Sequence, residues 1–245
     1  MRLQSHFILT TLSLFVLSGM PGAPVWAATV TLNTIKDNSV SAFDGNLVDN
    51  STELDATTSD MSYIMFDINA IAVAESVPAN QVVLNSVAFH IIDWRTNRSG
   101  TNILYMADVS GGWDEATFNW NEAVANYGAV GGIGTADIDA SKRLWEGRLD
   151  FTALNVIVDV TATSFAPHTD ASLLSAIQAD VSSGDGQVVF VMRGQSGTNH
   201  YAAHRENDEG QPPARLVIEY SVIPEPSTLM LLGIGALGVR RRRRR

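Results

Sequence analysis

The chain has 245 residues, with 16 lysines and arginines against 26 aspartates and glutamates, a formal net charge of -10, and no cysteine. Seven of the basic residues are Arg2 and Arg240 to Arg245, so the span from Ala28 to Ile223 holds nine basic and 25 acidic side chains, a net of -16. A body this acidic repels polyphosphate and anionic membrane surfaces, which excludes DNA and RNA as partners, and at 45% apolar and 17% charged the chain is too hydrophobic to stay disordered.

At the N-terminus, Arg2 supplies a small positive region and Phe7 to Leu17 an apolar run broken only by Thr and Ser. Val25-Trp26-Ala27 ends in the small-residue pattern that signal peptidase needs. Residues 1–27 therefore read as a secretory signal peptide cut after Ala27. Cutting one residue later would place bulky Trp26 three residues before the scissile bond. The apolar run is about half the length of a membrane span. Export normally permits disulfides, so a chain without cysteine depends on packing alone, which a body of this size can supply.

Residues 28–61 are expected to form an N-terminal strand and an acidic surface loop, because Lys36 to Asp60 is polar and poor in pattern, with room for one edge strand. From Ser62 onward the period is two. Ile64, Phe66 and Ile68 alternate with Tyr63, Met65 and Asp67; Val83, Val87, Phe89 and Ile91 follow, then Ile103, Tyr105, Ala107 and Val109. Further strands are expected at Leu154 to Val160, Gln187 to Arg193, and Arg215 to Ser221, the last with Leu216, Ile218 and Tyr220 on one face. Turn residues separate them, as in Asp93 to Asn102 and Gly128 to Gly134. The spacing of Leu173, Leu174, Ile177 and Val181 predicts one short helix, with Asp170 as its N-cap. One helix among seven or more strands points to an all-β antiparallel sandwich.

The densest internal motif is Trp113-Asp114-Glu115-Ala116-Thr117-Phe118-Asn119-Trp120-Asn121. With Tyr63 to Ile68 and Gln81 to Ile91 before it, and Arg205-Glu206 and Pro213 to Tyr220 after it, it resembles DNRLRE-type domains, whose signature is Trp-x-Glu-x-Thr-x-x-Trp-Asn. The resemblance spans residues 62–221 and implies a jelly-roll-type β-sandwich related to carbohydrate-binding modules, found in secreted proteins. The string that names that family is absent from this chain.

Two readings of the motif stand side by side. Trp113 and Trp120 with Glu115 and Thr117 can lock a connection between sheets, or the two indoles can stack on sugar rings; the packing argument favours the lock. Ligand-binding candidates lie elsewhere, at Trp94 beside Arg95 and Arg98, and at Trp145 beside Lys142, Arg143 and Arg148. These are expected in loops, where arginine beside an indole suits acidic sugars. His200 and His204 have zinc-ligand spacing only if helical, and no Glu follows His200 directly, so the protease version is excluded. Structural calcium could use Asp44, Asp49, Asn50 and Asp55, or Asp137 and Asp139, which are also ordinary turn formers; no cofactor is otherwise expected. His90 and His168 have no motif partner, there is no nucleophile elbow, and some pair of carboxylates is unavoidable among 25, so no enzyme is expected.

The C-terminus is the most specific signal. Val222-Ile223-Pro224-Glu225-Pro226-Ser227-Thr228 is followed by the apolar run Leu229 to Val239 and then six arginines. This is a spacer, a hydrophobic segment and a basic stop that keeps its arginines cytoplasmic. Eleven residues interrupted by Gly233, Gly235 and Gly238 suit a transient pause in the inner membrane better than a stable span. Pro224, Glu225 and Pro226 with this tail, residues 222–245, resemble the PEP-CTERM sorting signal of Gram-negative bacteria that make exopolysaccharide. The resemblance implies processing by an exosortase-type transpeptidase and placement at the outer surface or in the extracellular matrix. The expected function is a noncatalytic surface or matrix protein that contacts polysaccharide. A purely structural or adhesive matrix protein is the alternative, and a glycan-active enzyme the third.

Overall fold

The computed structural model describes residues 27–48, 53–93, 100–151, 158–159, 171–183, 186–195, 200–203, 205 and 213–223. In chain order the elements are β1 (Ala27–Asn33), β2 (Lys36–Ser41), β3 (Glu53–Ala56), β4 (Asp60–Asp67), helix α1 (Asn69–Glu75), β5 (Val82–His90), β6 (Ile92–Asp93) and β7 (Gly100–Ala107). They continue with α2 (Trp120–Asn126), β8 (Ala129–Val130), β9 (Asp137–Ile138), β10 (Arg143–Phe151), β11 (Val158–Asp159), α3 (Ala171–Ser183), β12 (Gln187–Gly194), β13 (His200–Ala203) and β14 (Arg215–Val222). Short 3-10 turns at Ala79–Gln81 and Ala140–Lys142 lead into β5 and β10.

The protein is an all-β sandwich. Its largest sheet has the order β10-β7-β12-β4-β2, a second has β1-β14-β5, a third β11-β6-β13-β3, and β8 pairs with β9. Every pairing among the described strands is antiparallel. The five-stranded sheet is covered on both faces, which explains why β4 and β12 are buried at nearly every position. On one face Ile64, Phe66, Leu104, Phe190 and Met192 meet β5, β14 and the Leu173, Ile177 and Val181 stripe of α3. Phe66, Phe89 and Phe190 form the centre of this core, with ring centroids 5.0 to 6.1 Å apart. On the other face Tyr63, Met65, Tyr105, Val189 and Val191 lie under the segment 113–138, which contributes Trp113, Phe118, Trp120, Tyr127 and Ile138. Period-two alternation thus separates two cores rather than core from solvent.

The helix α3 and the strands β4, β5, β7, β12 and β14 lie where the sequence pattern puts them. The N-cap expected at Asp170, and residues 154–157 of the strand expected at 154–160, lie outside the described residues. Two expectations are corrected. The segment 36–60, expected as a surface loop with room for one edge strand, carries two strands, β2 and β3. β2 is the edge strand of the five-stranded sheet, yet Asp37, Asn38, Ser39 and Val40 are all at most 2% exposed. Its apolar pattern is weak because its burial is satisfied by hydrogen bonds. Ser39 Oγ lies 2.9 Å from Ser62 Oγ and accepts from the Asp55 N–H at 2.8 Å, and Ser62 Oγ donates to the Asp55 carbonyl at 2.7 Å. Among the described residues three helices are present where one was expected, α1 and α2 being seven residues each. α2 was hidden inside the tryptophan motif, although Asn119 caps it by accepting from the Glu122 N–H at 3.1 Å.

Candidate functional site

The tryptophan motif and the polar strand β2 are built into one junction. Trp113 is fully buried; its ring stacks on Phe118 at 5.5 Å and meets Tyr63 and Tyr127 edge-on at 6.0 and 5.9 Å. Its indole Nε1 is buried with no hydrogen-bond partner, so Trp113 is held by ring packing. Trp120 is 7% exposed in the same core. Thr117, expected to be part of the lock, is exposed and only shapes the turn that starts at Asp114. Burial pushes the Tyr63 phenol far above its ordinary pKa, and its hydroxyl donates to the Tyr127 carbonyl at 3.2 Å.

Glu115 is the hinge between this core and β2. Its Oε1 accepts from the Asp37 N–H and its carbonyl from Asn38 Nδ2, both at 2.8 Å. Its Oε2 pairs with Arg205 Nη2 at 2.8 Å, while Arg205 donates through its backbone N–H to Asp37 Oδ2 at 3.0 Å and through Nη1 to the Ile35 carbonyl at 2.8 Å. Lys36 Nζ donates to the carbonyls of Gly111 and Trp113 at 3.0 and 2.8 Å and stands 5.8 Å from the Trp113 ring centroid. The two carboxylates that converge here, Asp37 and Glu115, are both tied to Arg205. Lys36 and Asp37 were missed by sequence reasoning because they fall in a stretch with no hydrophobic period. Glu115 and Arg205 come from two of the segments that carry the DNRLRE resemblance, and the fold brings them together.

The loop site expected at Trp145 and Arg143 is not formed. Both lie on β10, and its pairing with β7 slips between Arg143 and Trp145, so that Leu144 is the extra residue. Trp145 is turned into the first core, 6% exposed, and its indole lies over Gly147. Arg143 faces the other way. It donates through Nε and Nη2 to the Ile138 carbonyl at 3.0 and 2.8 Å, pairs with Asp137 at 2.9 Å, and covers the Tyr105 ring at 4.5 Å. Arg193 takes the other oxygen of Asp137 at 3.2 Å and donates to the Tyr105 hydroxyl at 3.4 Å. The Tyr105 phenol is raised above its ordinary pKa chiefly by burial. Trp94, Arg95 and Arg98 lie outside the described residues.

Asp137, one calcium candidate, is occupied by two arginines. Asp139 accepts from the Ser141 N–H and hydroxyl at 2.8 Å, which hold its carboxyl below the usual range. Asp44 accepts from the Asn46 N–H at 3.1 Å as a turn former, and Asp55 lies in β3. Asp49, Asn50, His168 and His204 are outside the described residues. His200 is on the strand β13, so the helical spacing that zinc would need from His200 is not realised. Among the described residues no three His, Asp or Glu side chains converge as a metal centre.

The chain leaves the body at a defined place. β14 is the middle strand of its sheet and pairs to its last residue, Val222 opposite Val82 and Ser221 opposite Ala27. The Ile223 N–H donates to the Gln81 carbonyl at 2.9 Å, and Tyr220 Oη to Glu75 at 2.5 Å. Pro224, Glu225 and Pro226 follow at once, outside the described residues. No helix among the described residues is long and apolar enough to cross a membrane. No curated protein matches the chain. Residues 222–245 match the PEP-CTERM protein-sorting motif, which marks this chain as an exported protein recognised by an exosortase.

Proposed function

We propose that this chain is a noncatalytic protein that an exosortase delivers to the outer surface or extracellular matrix of a Gram-negative bacterium, where its body acts as a rigid structural module. The observation that carries the reading is the fate of the tryptophans. Of the four in the body, Trp113, Trp120 and Trp145 are core residues, and the motif that resembles DNRLRE-type domains is used as an internal lock. The polar groups around that lock are tied to one another, which suits load-bearing more than turnover. Intact-mass analysis of surface material tests the sorting step. The exported form is expected to begin at Ala28 and to lack Arg240 to Arg245, and retention of the six arginines would overturn it.

A second reading, polysaccharide contact, keeps one specific support. Trp94 with Arg95 and Arg98 is the remaining body tryptophan in a basic setting, and the resemblance is to relatives of carbohydrate-binding modules. A glycan array on the exported protein decides between the two. A hit abolished by Trp94→Ala and by Arg95→Ala, with the melting temperature unchanged, would establish a sugar site; no hit on any glycan leaves the structural module.

A further inference from the structure

A strand at the edge of a sheet presents unpaired N–H and C=O groups, and the described edge strands of this fold, with one exception, have that edge covered or interrupted. On β2 the Asp37 N–H donates to Glu115 Oε1 and the Ser39 N–H to Asn38 Oδ1, both at 2.8 Å. On β3 the Asp55 N–H donates to Ser39 Oγ at 2.8 Å, and the Asp55 carbonyl accepts from Ser62 Oγ at 2.7 Å. On β5, Gln178 of α3 accepts from the Leu84 N–H at 2.7 Å and donates to the Val82 carbonyl at 3.2 Å. β10 is bulged at Leu144 and carries Arg143, Glu146 and Arg148, while β8, β9 and β11 are two residues long. The exception is β1.

The sequence of β1, Ala27-Ala28-Thr29-Val30-Thr31-Leu32-Asn33, has no charge and no proline, and its register with β14 is unbroken. The Thr34 N–H donates to the Ala214 carbonyl at 3.2 Å, which continues that register by one pair. Backbone direction repeats every second residue, so Leu32, Val30 and Ala28 share the direction of Thr34, toward β14. The N–H and C=O groups of Thr29, Thr31 and Asn33 therefore point out of the sheet edge, and they bond to nothing else among the described residues. The side chains lack a neighbour on the same side. Val30 and Leu32 pack against the first core but are only partly buried, whereas their partners on β14, Ile218 and Leu216, are fully buried. One more strand beside β1 would close over both.

We infer that β1 is an interaction surface whose occupant is the β1 of a second copy of this chain, paired antiparallel about a twofold axis between the two Thr31 residues. A strand-adding partner must itself offer an open strand, and among the described strands of this chain β1 alone does. Registers that turn Val30 and Leu32 to solvent are excluded, since a slip of one residue exchanges the faces. With Thr31 opposite Thr31, Thr29 faces Asn33 of the second copy and Val30 faces Leu32. Every outward N–H and C=O of the three residues is then used, in about six hydrogen bonds. Charge allows two acidic bodies to meet at this edge. The charged side chains on the adjoining strand are Glu219, opposite Thr29, and Arg215, opposite Asn33. Each row across the paired edges thus runs from Glu219 of one copy to Arg215 of the other, opposite signs about 14 Å apart over three strand spacings. The pairing gives the structural module a partner, and it rests on that reading for its use in a matrix, not for its formation.

The absence of cysteine makes the register testable in the exported protein. Thr31→Cys sets two thiols across the axis with Cα atoms about 5.5 Å apart, within disulfide reach, whereas in Thr29→Cys the two thiols are offset by about 13 Å along the strands. Under mild oxidation Thr31→Cys is expected to give a covalent dimer and Thr29→Cys alone to stay monomeric. An equal mixture of Thr29→Cys and Asn33→Cys is expected to give the mixed dimer, identified by intact mass. Sedimentation of the cysteine-free protein should show monomer passing to dimer as concentration rises. Thr31→Lys, which sets two ammonium groups opposite each other, should weaken that association several-fold while leaving the melting temperature of dilute protein unchanged. Monomer at every concentration, or crosslinking of Thr29→Cys as fast as Thr31→Cys, would overturn the inference. So would a dimer that Thr31→Lys leaves intact, which would place the contact on another surface. These outcomes do not bear on sorting or on the glycan array, which test the structural module separately.

Discussion

Trp113 and Trp145 are both buried indoles, yet only one was readable as such. Trp113 sits in a motif whose spacing implies packing, whereas Trp145 stands among Lys142, Arg143 and Arg148, and that charge suggests a surface. The slip at Leu144 separates the two roles, sending the guanidinium outward and the indole inward, and nothing in the local composition announces a bulge. Trp113→Ala and Trp145→Ala are each expected to cost about 3 to 5 kcal/mol, a large part of an ordinary domain's stability. The urea midpoint of each variant checks this, and an unchanged midpoint for Trp145→Ala would return that residue to the surface. Tyr63 gives a pH signature. Its folded pKa is raised by burial, so its contribution is complete below the unfolded value near 10 and is lost as pH rises beyond it. Above pH 10 the unfolded phenol ionises while the folded one does not, which lowers unfolding free energy by about 1.4 kcal/mol per pH unit for this group. Tyr63→Phe is expected to be less stable at neutral pH but to show a shallower decline above pH 10 in a pH series of melts.

At the scale of elements, the strands with two apolar faces were legible because Val, Ile, Phe and Met alternate across them without interruption. β2 was not, since Lys36-Asp37-Asn38-Ser39 buries itself through Glu115, Arg205 and the Ser39–Ser62 contact, partners up to 168 residues away. Long-range polar pairing leaves no periodic trace in a sequence. α2 did leave one, the Asn119-x-x-Glu122 cap, masked by reading Trp113 to Asn121 as a single motif. β10 shows how one small residue sets an element's packing. The Trp145 ring occupies the space above Gly147, where an added Cβ would overlap the indole six-membered ring. Gly147→Ala is expected to push Trp145 out of its pocket and destabilise the fold by about 1 to 3 kcal/mol. Near-ultraviolet circular dichroism should change with the melting temperature, and an unaltered spectrum would show that the ring does not depend on the glycine.

For the whole molecule, the functional part most legible in the sequence is the segment that follows the last strand. The tail was readable because its chemistry is linear: a proline-bounded acid, an apolar run and a cluster of arginines, each next to the other. The body's own chemistry is assembled from distant segments, which is why Arg205 with Glu115, or Asp137 between Arg143 and Arg193, emerged only in three dimensions. The boundary between the two parts is sharp, because β14 pairs through Val222 with β5 and through Ser221 with β1. A chain ending at Ile223 keeps every strand contact of the body, together with the Ile223 to Gln81 hydrogen bond. It is therefore expected to melt within about 1 °C of the exported protein, since residues beyond the last paired strand ordinarily contribute little to stability. Ending the chain five residues earlier, at Ile218, removes Tyr220 and Val222 from the middle strand of the sheet and takes away its pairing with Ala27 to Thr29 of β1 and with Val82 to Ser86 of β5. That version is expected to lose cooperative melting. Equal loss in both truncations would mean that residues beyond 223 belong to the fold, and equal stability in both would mean that β14 does not close the sheet as its pairing indicates.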